Sequence, residues 1–406
     1  MARRSPVVAA IACKEGEADR LHPLHRAWRL LPQGARRSAL MRASLALAPR
    51  PDRGVQSAPG LAVAGELDRA SGLGEAARLI LAGLEHLGVP CWAVRPGGVV
   101  PPAGVPLLVV GHGASLPLDL LRLGRRVVRS RRVIGYWFWE LPSVPPSWRA
   151  GTRFVHEVWA PSRFTAAALA PLVGPLMGEV RVVPVPLAMR AVAPSGRGRA
   201  GFGLAPDVFV TLVMFSLASS FERKNPLAAI AAHAEAFGAR ADRVLFLHVT
   251  GPHHFPADFA RLQAACGANV RLHTEELSRA DTQALIGASD VVLSLHRSEG
   301  FGLVPAEAML MGRPVVATDW SSTAEFLDAE VAGLVPVRLV PARDPRGVFE
   351  APGAVWAEPD VAAAAAWLRR LADDAGLRAR MGVAGRAAAQ ARFGTGGLAD
   401  AIGAWG

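Results

Sequence analysis

Short apolar segments alternate with helical segments along most of this chain, and this alternation restricts the fold more than any other feature. The strand-like runs are LAVAGEL, VPCWAVRP, PLLVVGHGA, RRVIGYWFWE, HEVWAPS and RVVPVPL, and then DVFVTLVMFS, RVLFLHVTG, NVRLH, DVVLSLH and RPVVATD. Such strands, alternating with helices, form parallel sheets that helices cover on both faces. The sequence predicts an α/β protein with two doubly wound, Rossmann-like domains that face each other across a cleft.

Composition and the positions of stretches rich in Gly, Pro and Ser divide the 406 residues into five parts. Residues 1–58 form a basic N-terminal extension that we expect to be helical. Residues 59–192 form a first Rossmann-like domain on the acceptor side, and the Gly-, Pro- and Ser-rich stretch 193–206 is a linker. Residues 207–392 form a second Rossmann-like domain on the donor side. Residues 393–406 are expected to form a C-terminal helix that packs back on the first domain.

The net charge of +11 does not indicate a nucleic-acid-binding protein. Only two of the 45 basic residues are lysine, and the arginines are spread along the chain without a zinc-finger or aromatic RNA-binding signature. Three scattered cysteines fit neither a disulfide framework nor a zinc site. No apolar run is long enough for a transmembrane helix. These features favour a cytoplasmic protein.

The segment LHRSEGFGLVPAEAML holds two glutamates, Glu299 and Glu307, around a Gly-Phe-Gly loop. The loop follows a predicted strand and precedes a predicted helix, so its backbone N–H groups lie at the positive end of that helix. Such a place binds anions, and two glycines allow close approach of a diphosphate. Glu307 can accept hydrogen bonds from the vicinal hydroxyls of a ribose, and Glu299 from hydroxyls of a second sugar. The pattern fits a nucleotide-sugar.

The same segment, extended as SEGFGLVPAEAMLMGRPVVAT, resembles the E-x7-E signature of the retaining glycosyltransferase family 4, whose fold is GT-B. Four other stretches are similar to this family: GELDRASGLGEAARLI, VHEVWAPSRF with VRVVPVPL, MFSLASSFERKNPLAAI, and VWAEPDVAAAAAWLRRL. The likeness covers roughly residues 60 to 405. It implies transfer of a sugar from a nucleotide-sugar to a saccharide or lipid-linked acceptor, with retention of configuration.

The resemblance also implies roles for individual residues. Glu299 corresponds to the functionally critical glutamate near the donor sugar, Glu307 to the glutamate on the ribose, and Lys224 to the basic residue on the diphosphate. Many relatives carry an arginine several residues before that lysine, where this chain has none, so Arg223 is the candidate replacement. The predicted donor-binding residues are Gly72, Gly74, Arg223, Lys224, His296, Arg297, Gly300, Phe301, Gly302, Leu303 and Glu307.

On the acceptor side, this chain has an aromatic run, Tyr136 to Trp139, followed by Glu140, where relatives often place a histidine. Two interpretations are open for the run: core packing, or a platform for an acceptor sugar. Trp139 and Glu140 are the acceptor-side candidates. His296 and Arg297 either reach the donor or shape the loop.

The chain lacks an Asp-x-Asp motif at a strand end, and the family it resembles needs no metal, so no cofactor or metal is expected. The nucleotide-sugar is then a co-substrate, and helix termini with Lys224 stabilise the leaving diphosphate. A nucleotide-sugar epimerase and a non-catalytic sugar-nucleotide-binding protein are the alternatives. A dinucleotide oxidoreductase is disfavoured, because SGLGEA lacks the third glycine at its usual spacing.

The N-terminal extension lies outside the resemblance. The piece from residue 22 to 48 is basic and partly amphipathic, and Pro32 and Gly34 favour two short helices over one long one. We expect these helices to pack on the first domain. The alternative is peripheral contact with anionic lipid at the inner face of a membrane, since family relatives commonly build surface polysaccharides or glycolipids there.

Overall fold

Two six-stranded parallel sheets form the centre of the protein, so the predicted fold class is confirmed. The computed structural model describes residues 33–173, 180–189, 191–349, 351 and 353–404.

The first domain contains six strands and five α-helices among the described residues. Its strands are β1 (Leu61–Ala64), β2 (Cys91–Val94), β3 (Leu107–Gly111), β4 (Val133–Trp137), β5 (Glu157–Ala160) and β6 (Arg181–Val182). Its helices are α1 (Gln33–Leu47), α2 (Gly72–His86), α3 (Leu116–Leu123), α4 (Arg125–Val128) and α5 (Arg163–Leu169).

The second domain and the C-terminal segment carry the remaining elements. The strands are β7 (Phe209–Ser216), β8 (Arg243–Thr250), β9 (Val270–His273), β10 (Val291–Ser294), β11 (Val315–Thr318), β12 (Ala332–Val335), β13 (Val337–Pro341) and β14 (Val355–Pro359). The helices are α6 (Phe221–Lys224), α7 (Pro226–Phe237), α8 (Pro256–Ala265), α9 (Arg279–Ala288), α10 (Leu303–Leu310), α11 (Val361–Asp373), α12 (Ala375–Arg392) and α13 (Gly396–Gly403). The first sheet has the strand order β2-β1-β3-β4-β5-β6 and the second β12-β11-β10-β7-β8-β9.

Helix α2 shows how local sequence produces these elements. The Ser71 side chain accepts a hydrogen bond from the backbone N–H of Gly74 and so caps the helix. Leu79, Ile80 and Leu84 recur at helical spacing and are fully buried against the first sheet. Burial of each such side chain contributes about 1.5–3 kcal/mol, so one apolar face holds the helix in place.

The C-terminal helix α13 lies against the first domain. Leu398 on this helix is fully buried, and a Cβ atom built on Gly83 of α2 would lie 3.0 Å from its methyl carbon Cδ2. The linker packs instead on the second domain: the Ser195 backbone N–H donates to the Ala280 carbonyl at 3.0 Å. The chain thus crosses back to the first domain at its end.

Antiparallel strands β13 and β14 form a hairpin that the sequence analysis did not predict. The connection between them brings Phe349 to the first domain, where its ring lies 5.4 Å from that of Trp139. Phe349 and Trp356 are buried in the same apolar cluster as Trp137 and Trp148. This packing partner lies some 200 positions away along the chain, which is why no local pattern indicated it.

Helix α1 packs against α3 of the first domain. Much of the predicted N-terminal helical pair falls in residues 1–32, which lie outside the described residues. Ser44 and Ala48 are buried, whereas Leu40 and Leu47 are 41% and 68% exposed. None of the helices in the described ranges is long and apolar enough to cross a membrane.

Candidate functional site

The loop between β10 and α10 lies where the second domain meets the first. The Gly300 carbonyl accepts hydrogen bonds from the side chains of Ser162 at 2.8 Å and Thr165 at 3.2 Å. A Cβ atom at Gly300 would lie 2.7 Å from the Trp139 carbonyl oxygen, so this close approach requires glycine. Gly302 has a φ of 87° and directly precedes α10. The loop is therefore at the carboxyl edge of the sheet and the N-terminal end of a helix, as the sequence predicted.

Lys224 and Glu299, two of the predicted donor residues, are in direct contact. The Lys224 ammonium group donates to Oε1 of Glu299, and Arg223 Nη1 lies 3.3 Å from Oε2. Burial raises the pKa of Glu299, but the charges of Lys224 and Arg223 outweigh it and hold the pKa at about 2. Burial lowers the pKa of Lys224, and Glu299 partly opposes that shift. Glu299 is ionised throughout the neutral pH range.

Arg223 is buried beside this pair, and much of its guanidinium is bound by backbone. It donates to the carbonyl oxygens of Ser298 at 2.8 Å and Ser219 at 3.0 Å, and its carbon Cζ lies 5.3 Å from the centre of the Phe349 ring. Arg223 therefore holds the backbone of the loop between β10 and α10, which carries Glu299, and adds a positive charge beside that glutamate. Its role as a second cation for the donor diphosphate stays a prediction.

Glu140 reaches the same cluster from the first domain. Its Oε1 atom lies 3.8 Å from Arg223 Nη2, and its side chain is 19% exposed. Trp139 differs: its residue is 4% exposed, its ring lies 5.0 Å from that of Trp148, and its Nε1 donates to the Ser143 carbonyl. Of the two interpretations of the aromatic run, the structure shows core packing. Glu140 is the acceptor-side candidate that faces the cluster.

His296 and Arg297 shape the loop in this structure. Burial lowers the pKa of His296 to about 4, so its ring is neutral at pH 7. Its nitrogens lie within hydrogen-bond distance of the Ser294 and Thr323 hydroxyls. The Arg297 guanidinium binds Glu358 at 2.8 Å and the Glu222 carbonyl at 2.7 Å. Their alternative role as direct donor contacts stays a prediction.

Phe301 and Leu303 present apolar side chains to the protein interior. Phe301 is 7% exposed, and its ring lies 5.4 Å from that of Phe393. Leu303 packs against the same apolar cluster. Any contact of these two residues with a polar ligand would thus be through backbone N–H groups, which is the contact that the loop prediction needs.

Glu307 lies on α10, and its Oε1 atom is 3.7 Å from Arg279 Nη1.

The two predicted glycines of the first domain differ in what surrounds them. A Cβ atom at Gly74 would lie 2.3 Å from the Glu66 carbonyl oxygen, whereas at Gly72 it would meet no atom within 4 Å. Gly74 is thus required by the tight turn before α2, and Gly72 leaves open space at the start of that helix.

Three serines that the sequence did not point to form hydrogen bonds with the backbone of Glu299 or of its neighbour Arg223. Ser321 accepts from the Glu299 backbone N–H at 2.9 Å, and Ser322 donates to the Glu299 carbonyl at 2.8 Å. Ser220 accepts from the Arg223 backbone N–H at 3.3 Å. Ser220 and Ser321 have φ values of 74° and 66°, which are strained for residues other than glycine. Backbone strain of this kind concentrates at functional sites, and the Ser-Ser pair after β11 was the available signal.

A cleft of about 460 Å³ opens at the carboxyl ends of β1, β2 and β3 in the first domain. Its lining includes Asp119, His112 and the loop from Gly65 to Arg69. Burial raises the pKa of Asp119, although a hydrogen bond from Ser115 at 3.0 Å opposes the shift. This is the place at which parallel sheets bind ligands.

Residues 212–357 match the family described as Glycosyl transferases group 1. This range includes Lys224, Glu299 and Glu307. No curated protein sequence matches the chain.

Three solved structures illustrate what the fold is similar to. Anabaena HepE, solved with UDP and glucose, is 15% identical with a TM-score of 0.60 over 86% of this chain and 99% of that one. Sucrose-phosphate synthase from Thermosynechococcus elongatus is 17% identical, with a TM-score of 0.60 over 87% and 98%. WaaG, a glycosyltransferase of lipopolysaccharide biosynthesis, is 16% identical, with a TM-score of 0.53 over 84% and 98%. The fold is GT-B.

Proposed function

We propose that this GT-B protein, with its glycosyl transferases group 1 segment, is a retaining, family 4-like hexosyltransferase. It moves a sugar from a nucleotide-sugar to a saccharide or lipid-linked saccharide, in bacterial surface polysaccharide or glycolipid synthesis. One observation carries the proposal: Lys224 and Glu299 meet at the mouth of a glycine loop that opens a helix. Lys224, a cation that can bind phosphate, thus lies beside Glu299, an anion that can accept hydrogen bonds from sugar hydroxyls.

Lys224 and Glu299 bind different parts of the donor. Lys224 and the loop N–H groups bind the diphosphate, and Glu307 accepts from the ribose hydroxyls. Because the pKa of Glu299 is about 2, this carboxylate is an acceptor of hydrogen bonds and does not act as a general acid. Its negative charge stabilises the positive charge that develops on the sugar in an oxocarbenium-like transition state.

Bond breaking places new negative charge on the diphosphate, next to Lys224. The bond between the sugar and the diphosphate oxygen breaks, and the acceptor hydroxyl attacks from the same face of the sugar. The departing diphosphate takes the proton of that hydroxyl, which gives retention without a covalent intermediate on the protein. HepE and the group 1 family support the donor class, since HepE was solved with UDP and with UDP-glucose.

The acceptor side belongs to the first domain. Glu140 lies beside the charged cluster, and the cleft at the ends of β1, β2 and β3 offers room for a saccharide. TarM of S. aureus, which has the same fold at 12% identity, was solved with a saccharide and UDP. We assign saccharide binding to this cleft, and we propose Glu140, which lies beside the charged cluster, as a further acceptor contact.

A thermal-shift panel of UDP- and GDP-sugars, followed by a transfer assay with the stabilising donor, tests the proposal. We expect one donor to stabilise the protein and its sugar to be transferred with the anomeric configuration kept. Isomerised free nucleotide-sugar would establish the epimerase alternative. Stabilisation with neither transfer nor hydrolysis across saccharide and lipid-linked acceptors would establish a non-catalytic binding protein.

Transfer is expected to survive an excess of EDTA. Lys224 and helix α10 are protein groups that can stabilise the leaving diphosphate, and in the described ranges no group of three or more His, Cys, Asp or Glu side chains is placed to hold a metal ion. The measurement is initial transfer rate after dialysis against EDTA, with and without added Mg²⁺ or Mn²⁺. Loss of activity on chelation and its return with metal would contradict the expectation.

We also propose that the protein works at the cytoplasmic face of the membrane, in peripheral contact with anionic lipid. Arg42 and the exposed Leu40 and Leu47 on α1 provide basic and apolar side chains, and the sequence of residues 1–32 holds further arginines. Each basic residue adds up to about 1 kcal/mol of attraction to an anionic leaflet. No contact with nucleic acid is proposed.

Weak, salt-sensitive sedimentation with anionic liposomes is the expected result for the full-length chain. Removal of residues 1–32 should weaken it by removing their arginines, and it leaves α1 in place, which matters because Ser44 and Ala48 are buried. Neutral liposomes are the control. If the 406-residue protein does not sediment with anionic liposomes at low salt, the extension has a purely structural role.

A further inference from the structure

Arg279 occupies an unfavourable place for a cation. It is the first residue of α9, at the positive end of the helix dipole, where anions are favoured. Ser278, the N-cap, already satisfies the backbone N–H of Asp281 there. The reason for an arginine at this position must therefore lie outside its own helix.

The Arg279 guanidinium joins the two domains. Its Nη1 donates to Oε1 of Glu75, in the first turn of α2 in the first domain, and lies 3.7 Å from Oε1 of Glu307, on α10 of the second domain. The side chains of Arg279, Glu75 and Glu307 are 32%, 13% and 15% exposed. One half-buried cation thus lies between carboxylates of different domains.

The contact continues into the first domain through Arg78. This arginine binds Oε2 of Glu75 through Nε at 3.1 Å and Nη2 at 2.9 Å. Its Nη1 donates to the carbonyl oxygens of Leu67 at 2.8 Å and Arg69 at 3.0 Å. Both carbonyls belong to the loop that lines the first-domain cleft. A continuous series of charged contacts therefore runs from the acceptor-side loop to Glu307.

We propose that Arg279 is a positioning residue for the donor: it orients the carboxylate of Glu307 towards the ribose and ties that carboxylate to Glu75 of the first domain. The proposal rests on the proposed function, because it uses Glu307 as the ribose acceptor. Nucleotide binding and closure of the cleft are thereby coupled through one side chain.

The physical consequences follow from where the contacts lie. The Arg279–Glu75 ion pair holds the two domains together, since its partners belong to different domains. A carboxylate held by a cation already has a restricted orientation, so less side-chain freedom is lost when the nucleotide binds. The ribose does not react, so its contact is made equally before and during transfer. Loss of Arg279 should therefore raise KM and change kcat little.

The test uses the 406-residue protein and four variants in which glutamine replaces a charged side chain: Glu75→Gln, Arg279→Gln, the double variant, and the control Arg197→Gln. Arg197 also forms an ion pair, with Glu275 at 2.9 Å, but this pair does not involve the first domain. KM and kcat are measured with the donor that the UDP- and GDP-sugar panel selects. Small-angle scattering without nucleotide measures the radius of gyration, and thermal unfolding verifies that each variant is folded.

We expect KM to rise about tenfold in Arg279→Gln and several-fold in Glu75→Gln, within the usual range of coupling between sites. The double variant should be no worse than Arg279→Gln alone, because both changes break one series of contacts. The radius of gyration should increase in all three, and Arg197→Gln should resemble the wild type. Unchanged KM in folded Arg279→Gln, additive effects in the double variant, or an unchanged radius of gyration would overturn the inference. Wild-type protein that binds none of the nucleotide-sugars would instead refute the proposed function.

Discussion

Glu299→Gln is expected to lose transfer by about 100-fold or more, the usual loss when one electrostatic contact to a transition state is removed. The amide keeps the shape of the side chain and an oxygen that accepts from Lys224, but it removes the negative charge beside the donor sugar. Steady-state transfer with saturating donor measures the effect. Glu330→Gln, a change at an exposed glutamate of the same domain, is the matched control.

The same variant should keep its affinity for nucleoside diphosphate or gain some. In the wild type, Lys224 is paired with Glu299, so removal of that charge leaves a half-buried cation that a phosphate can neutralise. Without ligand the variant should unfold at a lower temperature, and UDP or GDP should raise that temperature by more than in the wild type. Wild-type turnover in a folded Glu299→Gln protein would remove Glu299 from the mechanism.

Lys224→Ala is expected to weaken binding of the nucleoside diphosphate by about 10- to 100-fold, and of the nucleoside by much less. The reason is that a hydrogen bond to a charged group contributes about 1.5–3 kcal/mol, and the nucleoside has no phosphate to receive it. Calorimetric titration with UDP and uridine, or GDP and guanosine, measures both. The chain has one other lysine, and Lys14→Ala serves as the control.

A second effect accompanies the lysine change, because Glu299 is left with Arg223 as its nearest cation and repels an incoming phosphate. The double variant Lys224→Ala with Glu299→Gln separates the two effects. Partial recovery of diphosphate affinity in the double variant measures the repulsion, and the remaining loss measures the lysine contact. Equal loss for nucleoside and diphosphate in Lys224→Ala would contradict the assignment to phosphate.

The supporting groups of the site were only partly predictable. Ser321 and Ser322 follow a strand, as binding residues often do, but nothing local shows that they hold the backbone of Glu299. Arg223 is adjacent to Lys224 in sequence and is predicted from the sequence to be a second phosphate cation, which stays a prediction. Its guanidinium also binds the Ser298 and Ser219 carbonyls, and only the folded loop brings these within reach.

The sequence by itself determined most of the order of strands and helices and the place of the glycine loop between Glu299 and Glu307, because hydrophobic periodicity acts over a few neighbouring residues. Only the tertiary structure decided which charged groups meet. Lys224 contacts Glu299 across 75 positions, and Arg279 contacts Glu75 across 204. The buried setting of Trp139 likewise depends on long-range packing, because its ring lies 5.0 Å from that of Trp148 and 5.4 Å from that of Phe349, which packs on it from the other domain. Such contacts depend on how two sheets and their connections pack together, and that packing is distributed over the whole chain.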